Sequence, residues 1–265
     1  MCLILLAWRS HPDYPLVVAA NRDEHFARPT APACYWQQTP GLLAGRDLDA
    51  GGTWMGVTRH GRFAALTNFR EPRQAPDHGA NTANPPSRGG LVSDFLAGSA
   101  QAEDYLAALA PVAKSYNGFN LVCGTLDQGF WHFSNRGGQP RLLKPGIYGL
   151  SNHLLDTPWP KVAQGKSELA RALYALPTEA PLFELLRDDR IYNDDRLPRT
   201  GVSLEWERTL SAAFVRAPNY GTRSSTVLLH DREGRISFDE LNYLPDARAA
   251  ARNRFRFSLE QQGSS

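Results

Sequence analysis

The chain has 265 residues, of which 42% are hydrophobic, 10% aromatic and 21% charged; this is ordinary for a globular protein and supplies ample apolar material for a core. The formal net charge of +2 is far from the basic footprint of a nucleic-acid binder, and no apolar run approaches the ~18 residues of a membrane span. The three cysteines, Cys2, Cys34 and Cys123, are odd in number and lack CxxC spacing, which speaks against a disulfide framework or a structural zinc site.

In chain order, Cys2–Trp8 is an apolar run of strand length and Leu16–Ala20 is a second. The turn signal His11-Pro12-Asp13-Tyr14-Pro15 between them predicts a hairpin. Leu3–Ala7 is too short for a signal peptide and has no basic region before it. A further hairpin is expected from Gly51–Val57 and Arg62–Asn68, joined through Arg59-His60-Gly61. Residues 71–90 are rich in Pro, Gly, Asn and Asp and read as a loop. Leu91, Val92, Phe95 and Leu96 make a helical stripe, and a second helix is expected over Gln101–Ala110, ending near Pro111. Strands return at Phe119–Cys123, Gly129–Phe133 and Gly146–Leu150. Lys161–Leu176 reads as a helix, with Pro160 near its start, and Leu182–Leu186 as a shorter one. The tail is β again at Ser225–His230, Ile236–Leu241 and Arg254–Leu259. Arg248, Arg252, Arg254 and Arg256 read as a solvated face rather than a binding arm. Strands at both ends with helices between them indicate an α+β fold, and no linker or repeat divides residues 1–265, so the chain reads as one domain. Free thiols and no export signal point to the cytoplasm.

The chemistry centres on Cys2. If Met1 is removed, Cys2 carries both a thiol and a free α-amine whose unperturbed pKa is ~7.7–8.0. The amine can then serve as general base for its own side chain. The hairpin returns Arg22 and Asp23 toward Cys2, where a guanidinium favours a thiolate and a carboxylate holds an ammonium. The competing reading is a small buried thiol filling core and a surface ion pair of little worth. Asn152, after the strand ending at Leu150, offers its amide to an oxyanion or closes an Asx turn. Arg223 lies between a Gly turn and a strand, where it binds an anion, tunes the thiol or is merely solvated. Asn68 puts another amide at a strand end. The seven histidines show no HxxH or HExxH spacing, so metal binding has no local support, and no glycine pattern matches a nucleotide loop. Cys34 and Cys123 read as packing residues.

Met1-Cys2, Ala20-Asn21-Arg22-Asp23-Glu24, Arg28-Pro29, Gly51-Gly52-Thr53-Trp54, Ala65-Leu66-Thr67-Asn68, Tyr116-Asn117-Gly118-Phe119-Asn120-Leu121, Asn135-Arg136-Gly137, Tyr148-Gly149-Leu150-Ser151-Asn152, Thr157-Pro158-Trp159 and Tyr220-Gly221-Thr222-Arg223 occur in that order. The set closely resembles the NRDE family, also called the transport and Golgi organisation family. That resemblance implies a cytoplasmic or organellar protein tied to haem trafficking and to lipid or acyl-CoA homeostasis. A more distant resemblance is to the cysteine N-terminal-nucleophile hydrolases of the choloylglycine hydrolase and penicillin V acylase group, which cleave non-peptide amides. It implies a four-layer αββα sandwich with two stacked, mainly antiparallel sheets. It also implies Cys2 as nucleophile, Arg22 and Asp23 orienting it, Asn152 with Asn68 as oxyanion hole, and Arg223 completing the thiolate's surroundings. Asn21, Glu24, Trp54, Asn68, Phe69 and His153 are the expected substrate contacts. The expected function is hydrolysis of a small non-peptide amide or acyl thioester, with no cofactor required. The alternative is a non-catalytic protein that holds haem or an acyl-CoA in the same cleft.

Overall fold

Two apolar runs joined by a proline-rich turn form the hairpin from which the rest of the structure is laid out. The structure is a computed structural model that describes residues 2–71 and 85–260. Strand β1 (Cys2–Trp8) pairs antiparallel with β2 (Leu16–His25), placing Cys2 opposite Arg22 and Trp8 opposite Leu16. There follow β3 (Thr30–Tyr35), β4 (Leu42–Asp47), β5 (Met55–Thr58) and β6 (Arg62–Asn68), then the helices α1 (Gly89–Ala97) and α2 (Ala102–Leu109). Strands β7 (Phe119–Thr125), β8 (Gly129–Ser134), β9 (Arg141–Leu142) and β10 (Gly146–Leu150) lead into α3 (Pro160–Ala172), α4 (Ala180–Leu186) and α5 (Leu204–Thr209). The chain closes with β11 (Tyr220–His230), β12 (Arg235–Tyr243) and β13 (Ala249–Ser258).

The strands form two antiparallel sheets, ordered β10-β1-β2-β11-β12-β13 and β3-β4-β5-β6-β7-β8-β9. Side-chain alternation sorts β1 between two cores. Ile4, Leu6 and Trp8 pack between the sheets against Val57, Phe63 and Phe130. Leu3, Leu5 and Ala7 pack outward against Val162, Leu169 and Leu186 of α3 and α4. A strand buried on both faces has no polar side to show, which is why β1 reads as an unbroken apolar run. The outer face of the second sheet is covered by α1 and α2 through Leu91, Phe95 and Leu106. The result is the α+β four-layer αββα sandwich expected from the sequence. Among the described residues, no helix is long and apolar enough to cross a membrane.

Several elements depart from expectation for local reasons. Strand β2 does not stop at Ala20 but continues through His25, because its polar end is paired with β1 as far as Arg22 and with β11 as far as His25. Strand β3 carries Pro32, which is tolerated because β3 is an edge strand. Cys34 lies on that edge and is exposed rather than packed, whereas Cys123 is buried. Gly51–Trp54 is a turn, not the start of a strand, with Gly51 at φ +77°. Gly52 lets the turn approach α1: a Cβ there would lie 2.4 Å from the Gly89 carbonyl carbon. The expected loop over residues 71–90 lies largely outside the described residues.

The tail arginines do more than meet solvent. Arg252, Arg254 and Arg256 lie on one face of β13, and all three pair with Asp239, whose side chain is fully buried. Burying a carboxylate is costly unless it is paired, so these arginines compensate that charge.

Asn21 has a similar structural task. It was assigned above to substrate binding, but its side chain turns into the helical layer. Its amide donates to the Leu186 carbonyl at 2.7 Å and the Ala213 carbonyl at 2.8 Å, and its oxygen accepts from Ser225 Oγ at 2.6 Å. Replacing Asn21 by Ala leaves three buried polar groups short of a partner. The expected cost is about 2–4 kcal/mol of unfolding free energy, measured by urea denaturation; a loss within experimental error would contradict this role.

Candidate active site

The site is built where β1 begins. Cys2 opens the strand and lies half-buried opposite Arg22. Both residues line a cleft of about 560 Å³ together with Asp23, Glu24, Trp54 and Asn68. Arg22 is buried; its guanidinium donates to Thr30 Oγ1 at 3.0 Å, lies 4.0 Å from Asp47 and stacks 4.2 Å over the Trp54 ring. Trp54 in turn needs the missing side chain of Gly45, since a Cβ there would lie 2.3 Å from its ring.

Asp23 is buried, its Oδ1 accepting from Thr222 Oγ1 at 2.7 Å and its carbonyl from the Tyr220 hydroxyl at 3.0 Å. A bulge in β11 between Thr222 and Ser224 sets Thr222 opposite Asp23 while keeping Ser224 opposite Arg22. Lys161, also buried, donates from Nζ to the Leu210 carbonyl at 2.9 Å and acts electrostatically on Asp23.

Burial governs the titration of this group. It pushes the Cys2 thiol above its ordinary value, while Arg22 and a hydrogen bond from the Asp23 backbone N–H pull the other way. Burial likewise raises the Asp23 carboxyl, opposed by Lys161. Lys161 itself is pushed down to about 8, chiefly by burial and against the pull of Asp23. At neutral pH the thiol therefore holds its proton, and nucleophilic chemistry at Cys2 requires a base.

The second wall joins the two sheets. Thr67 Oγ1 donates to the Ser151 carbonyl at 2.6 Å, and Asn120 Nδ2 donates to Thr67 Oγ1 at 3.1 Å and to the His153 carbonyl at 2.9 Å. Ser151 Oγ donates to the Cys2 carbonyl at 3.2 Å, and Asn152 Nδ2 donates to the Asn68 carbonyl at 2.8 Å. Asn152 is wholly buried behind Asn68. A side-chain amide has two N–H donors, and the bond to Asn68 uses one of them.

The expected residues thus divide. Cys2, Arg22, Asp23, Glu24, Trp54 and Asn68 line one cleft, with Asn152 behind it. Asn21 does not join them. Arg223 points elsewhere: its guanidinium donates to the carbonyls of His25 at 2.9 Å and Arg28 at 3.1 Å, fixing the turn after β2. Phe69 and His153 form a neighbouring aromatic group, ring centroids 4.8 Å apart, with Trp159 5.8 Å from His153.

The sequence assigns no site role to Lys161, Thr222, Tyr220 or Arg88, the last a further cleft residue. Lys161 carried one signal: a lysine in the first turn of a helix opposes the helix dipole, so it needs a reason to be there. A larger cavity of about 850 Å³ lies by α4, β12 and β13 and contains none of the Cys2 group; chemistry, not size, selects the smaller cleft.

Comparisons with known proteins show which sequences and which fold the chain resembles. The profile of the family described as Transport and Golgi organisation 2 matches residues 1–245. The mouse Transport and Golgi organization 2 homolog is 34% identical over 284 aligned residues, covering 98% of this chain and all of its own. The human homolog is 35% identical, covering 91% of this chain and 92% of its own. Among solved structures, the Caenorhabditis elegans ortholog of N-acylethanolamine-hydrolyzing acid amidase superposes with a TM-score of 0.52 at 12% identity, over 86% of this chain and 92% of that one. That likeness is one of fold.

The depressed Lys161 makes a stability prediction. Below about pH 8 it is charged in both the folded and unfolded states. Between about pH 8 and its ordinary value of 10.5 the folded chain has shed the proton and the unfolded chain has not. The unfolded state then binds more protons, so this group's contribution to stability rises with pH. Unfolding free energies of the wild type minus those of Lys161→Met should therefore grow across that window by on the order of 3 kcal/mol. A pH-independent difference would contradict the assignment.

Proposed function

The chain belongs to the Transport and Golgi organisation 2 family, and on that footing we propose that it is a cysteine hydrolase of a small amide or acyl thioester, with Cys2 as nucleophile once Met1 is removed. The observation that carries this reading is the pairing of Cys2 with Arg22 at the mouth of a polar cleft. The fold shared with an amidase supports it. The three cysteines are free thiols, which suits a reducing, cytoplasmic setting.

In the proposed reaction the α-amine of Cys2 takes the thiol proton, directly or through a water. The sulfur attacks the substrate carbonyl carbon, forming the C–S bond as the carbonyl π electrons move onto oxygen. The side-chain amide of Asn68, which lines the cleft, is assigned as donor to that oxyanion, with the second N–H of Asn152 behind it. Collapse of the intermediate expels the amine or thiol, which takes its proton from the α-ammonium. Water then attacks the thioester, gives its proton to the amine and releases the acid, regenerating the thiol. Arg22 stabilises thiolate character, and Asp23 favours the ammonium form when it is ionised.

The contrasting reading is a non-catalytic carrier of haem or acyl-CoA, for which the aromatic group of Phe69, His153 and Trp159 is the favouring observation. The cleft at Cys2 is lined largely by charged and polar side chains, which suits a small polar substrate better than a broad apolar cargo.

A panel of N-acyl amides and acyl thioesters distinguishes the two. Turnover of at least one of them, a mass adduct on Cys2, and a loss of at least about 10³-fold in Cys2→Ala with unchanged circular dichroism are expected. Turnover that survives Cys2→Ala would contradict the proposal. So would saturable haem or acyl-CoA binding in a protein that turns over nothing in the panel.

A further inference from the structure

Three arginines line the Cys2 cleft, and two of them are already engaged. Arg28 donates to Asp47 at 2.7 Å and reaches Asp49 at 3.9 Å. Arg22 is held by Thr30, Asp47 and the Trp54 ring. Arg88 differs. It is half-buried on the opposite side of the cleft, just before α1. Its Nη1 donates to the Gly118 carbonyl at 3.1 Å, and it makes no ion pair among the described residues. A guanidinium carries five N–H donors in a planar fork, so one carbonyl leaves most of them to the cleft.

Two further features favour an anion at this wall. Gly89, the first residue of α1, lines the same cleft, and the start of a helix attracts negative charge. Arg88 also lies within electrostatic reach of Glu24 and of the Cys2 sulfur, so a group bound to it sits close to the nucleophile. Beside Cys2, the guanidinium of Arg22 is already held by Thr30, Asp47 and Trp54, so Arg88 is the cleft arginine left to meet an anion.

From this arrangement we infer that the substrate carries a carboxylate and that Arg88 binds it, presenting a neutral amide or thioester carbonyl to Cys2. The inference rests on the hydrolase reading for the carbonyl, but the anion anchor is a property of the cleft and can be tested without turnover. A planar carboxylate fits the guanidinium fork in two parallel hydrogen bonds, and its distance from the scissile carbonyl is set by the width of the cleft.

The test compares two alkylating reagents of nearly equal size, iodoacetate and iodoacetamide. Each forms a C–S bond at the Cys2 thiolate while the C–I bond breaks and iodide leaves with its electron pair. Only the first carries a carboxylate. The readout is the ratio of the two labelling rates at Cys2, by peptide mass spectrometry, in the wild type and in Arg88→Gln, which keeps a donor for Gly118 but loses the charge. Arg88→Lys, which keeps the charge, serves as a second variant should Arg88→Gln fold poorly. The iodoacetate-to-iodoacetamide ratio is expected to fall about tenfold in Arg88→Gln, and less in Arg88→Lys; the ratio cancels any change that loss of the nearby charge makes to the thiolate itself. An unchanged ratio, or an equal fall in both rates, overturns the inference.

If Cys2 reacts with neither reagent the hydrolase reading fails, and calorimetric titration of the Cys2→Ala protein with glutarate decides the anchor. Saturable binding of glutarate but not glutaramide, weakened about tenfold when Arg88→Gln is added, supports it. Equal binding of the two, no binding of either, or binding of inorganic phosphate with glutarate silent overturns it.

Discussion

The register of β1 on β2 is the constraint on which the site depends. In an antiparallel ladder, residues directly opposite share a face of the sheet. Cys2 therefore shares the inter-sheet face with Arg22, and a slip of one residue would carry the sulfur to the helical face. The register is secured at both ends and on both faces. At the turn, the Arg9 amide donates to the Pro15 carbonyl at 2.7 Å. Along the strand, apolar side chains are buried on either side. Beyond β2, strand β11 adds a second ladder whose bulge lies beside the site.

That geometry places charge where water is scarce. Asp23, Lys161 and Arg22 are all buried, and none would be tolerated there alone. A neighbouring buried pair, Arg70 and Glu207 at 2.8 Å, ties the end of β6 to α5 and brings the Arg70 backbone N–H to the Asn152 carbonyl at 2.7 Å. Replacing one member of such a set exposes the remaining charge to the full desolvation cost. The Cys2 end of the sandwich is thus held by hydrogen bonds and ion pairs, whereas the middle of each layer is held by apolar packing such as the edge-to-face contact of Trp8 with Phe130.

Much of this was legible in the sequence. The strands Cys2–Trp8, Arg62–Asn68 and Gly146–Leu150 could be bounded to the residue, because turn residues flank each run and the first two are buried on both faces. The short edge strand β3 and its neighbour β4 could not: Pro32 and Gly45 argue locally against a strand, and only the neighbouring strands overrule them. Of the site, the residues contiguous with the hairpin were readable, since a hairpin states its own partners. Asn21 and Arg223 were misplaced for one reason. Alternation says that two neighbours face opposite ways, but not which of them faces the cleft, and a bulge resets the count. Lys161 lies in α3 and Arg88 just before α1, on opposite sides of the sandwich, and no local pattern brings them to Cys2.

The proposed chemistry turns on the first peptide bond. The α-amine of Cys2 is a base only when it is free, and the thiol, pushed above its ordinary value, keeps its proton without one. The most direct test separates the species that begins at Cys2 from the one that retains Met1, by intact mass, and follows single-turnover acylation of each across neutral pH. The account predicts that only the species beginning at Cys2 acylates, with a rate that rises through a single ionisation near the α-amine range of ~7.7–8.0. Equal acylation of the Met1-retaining species would contradict it.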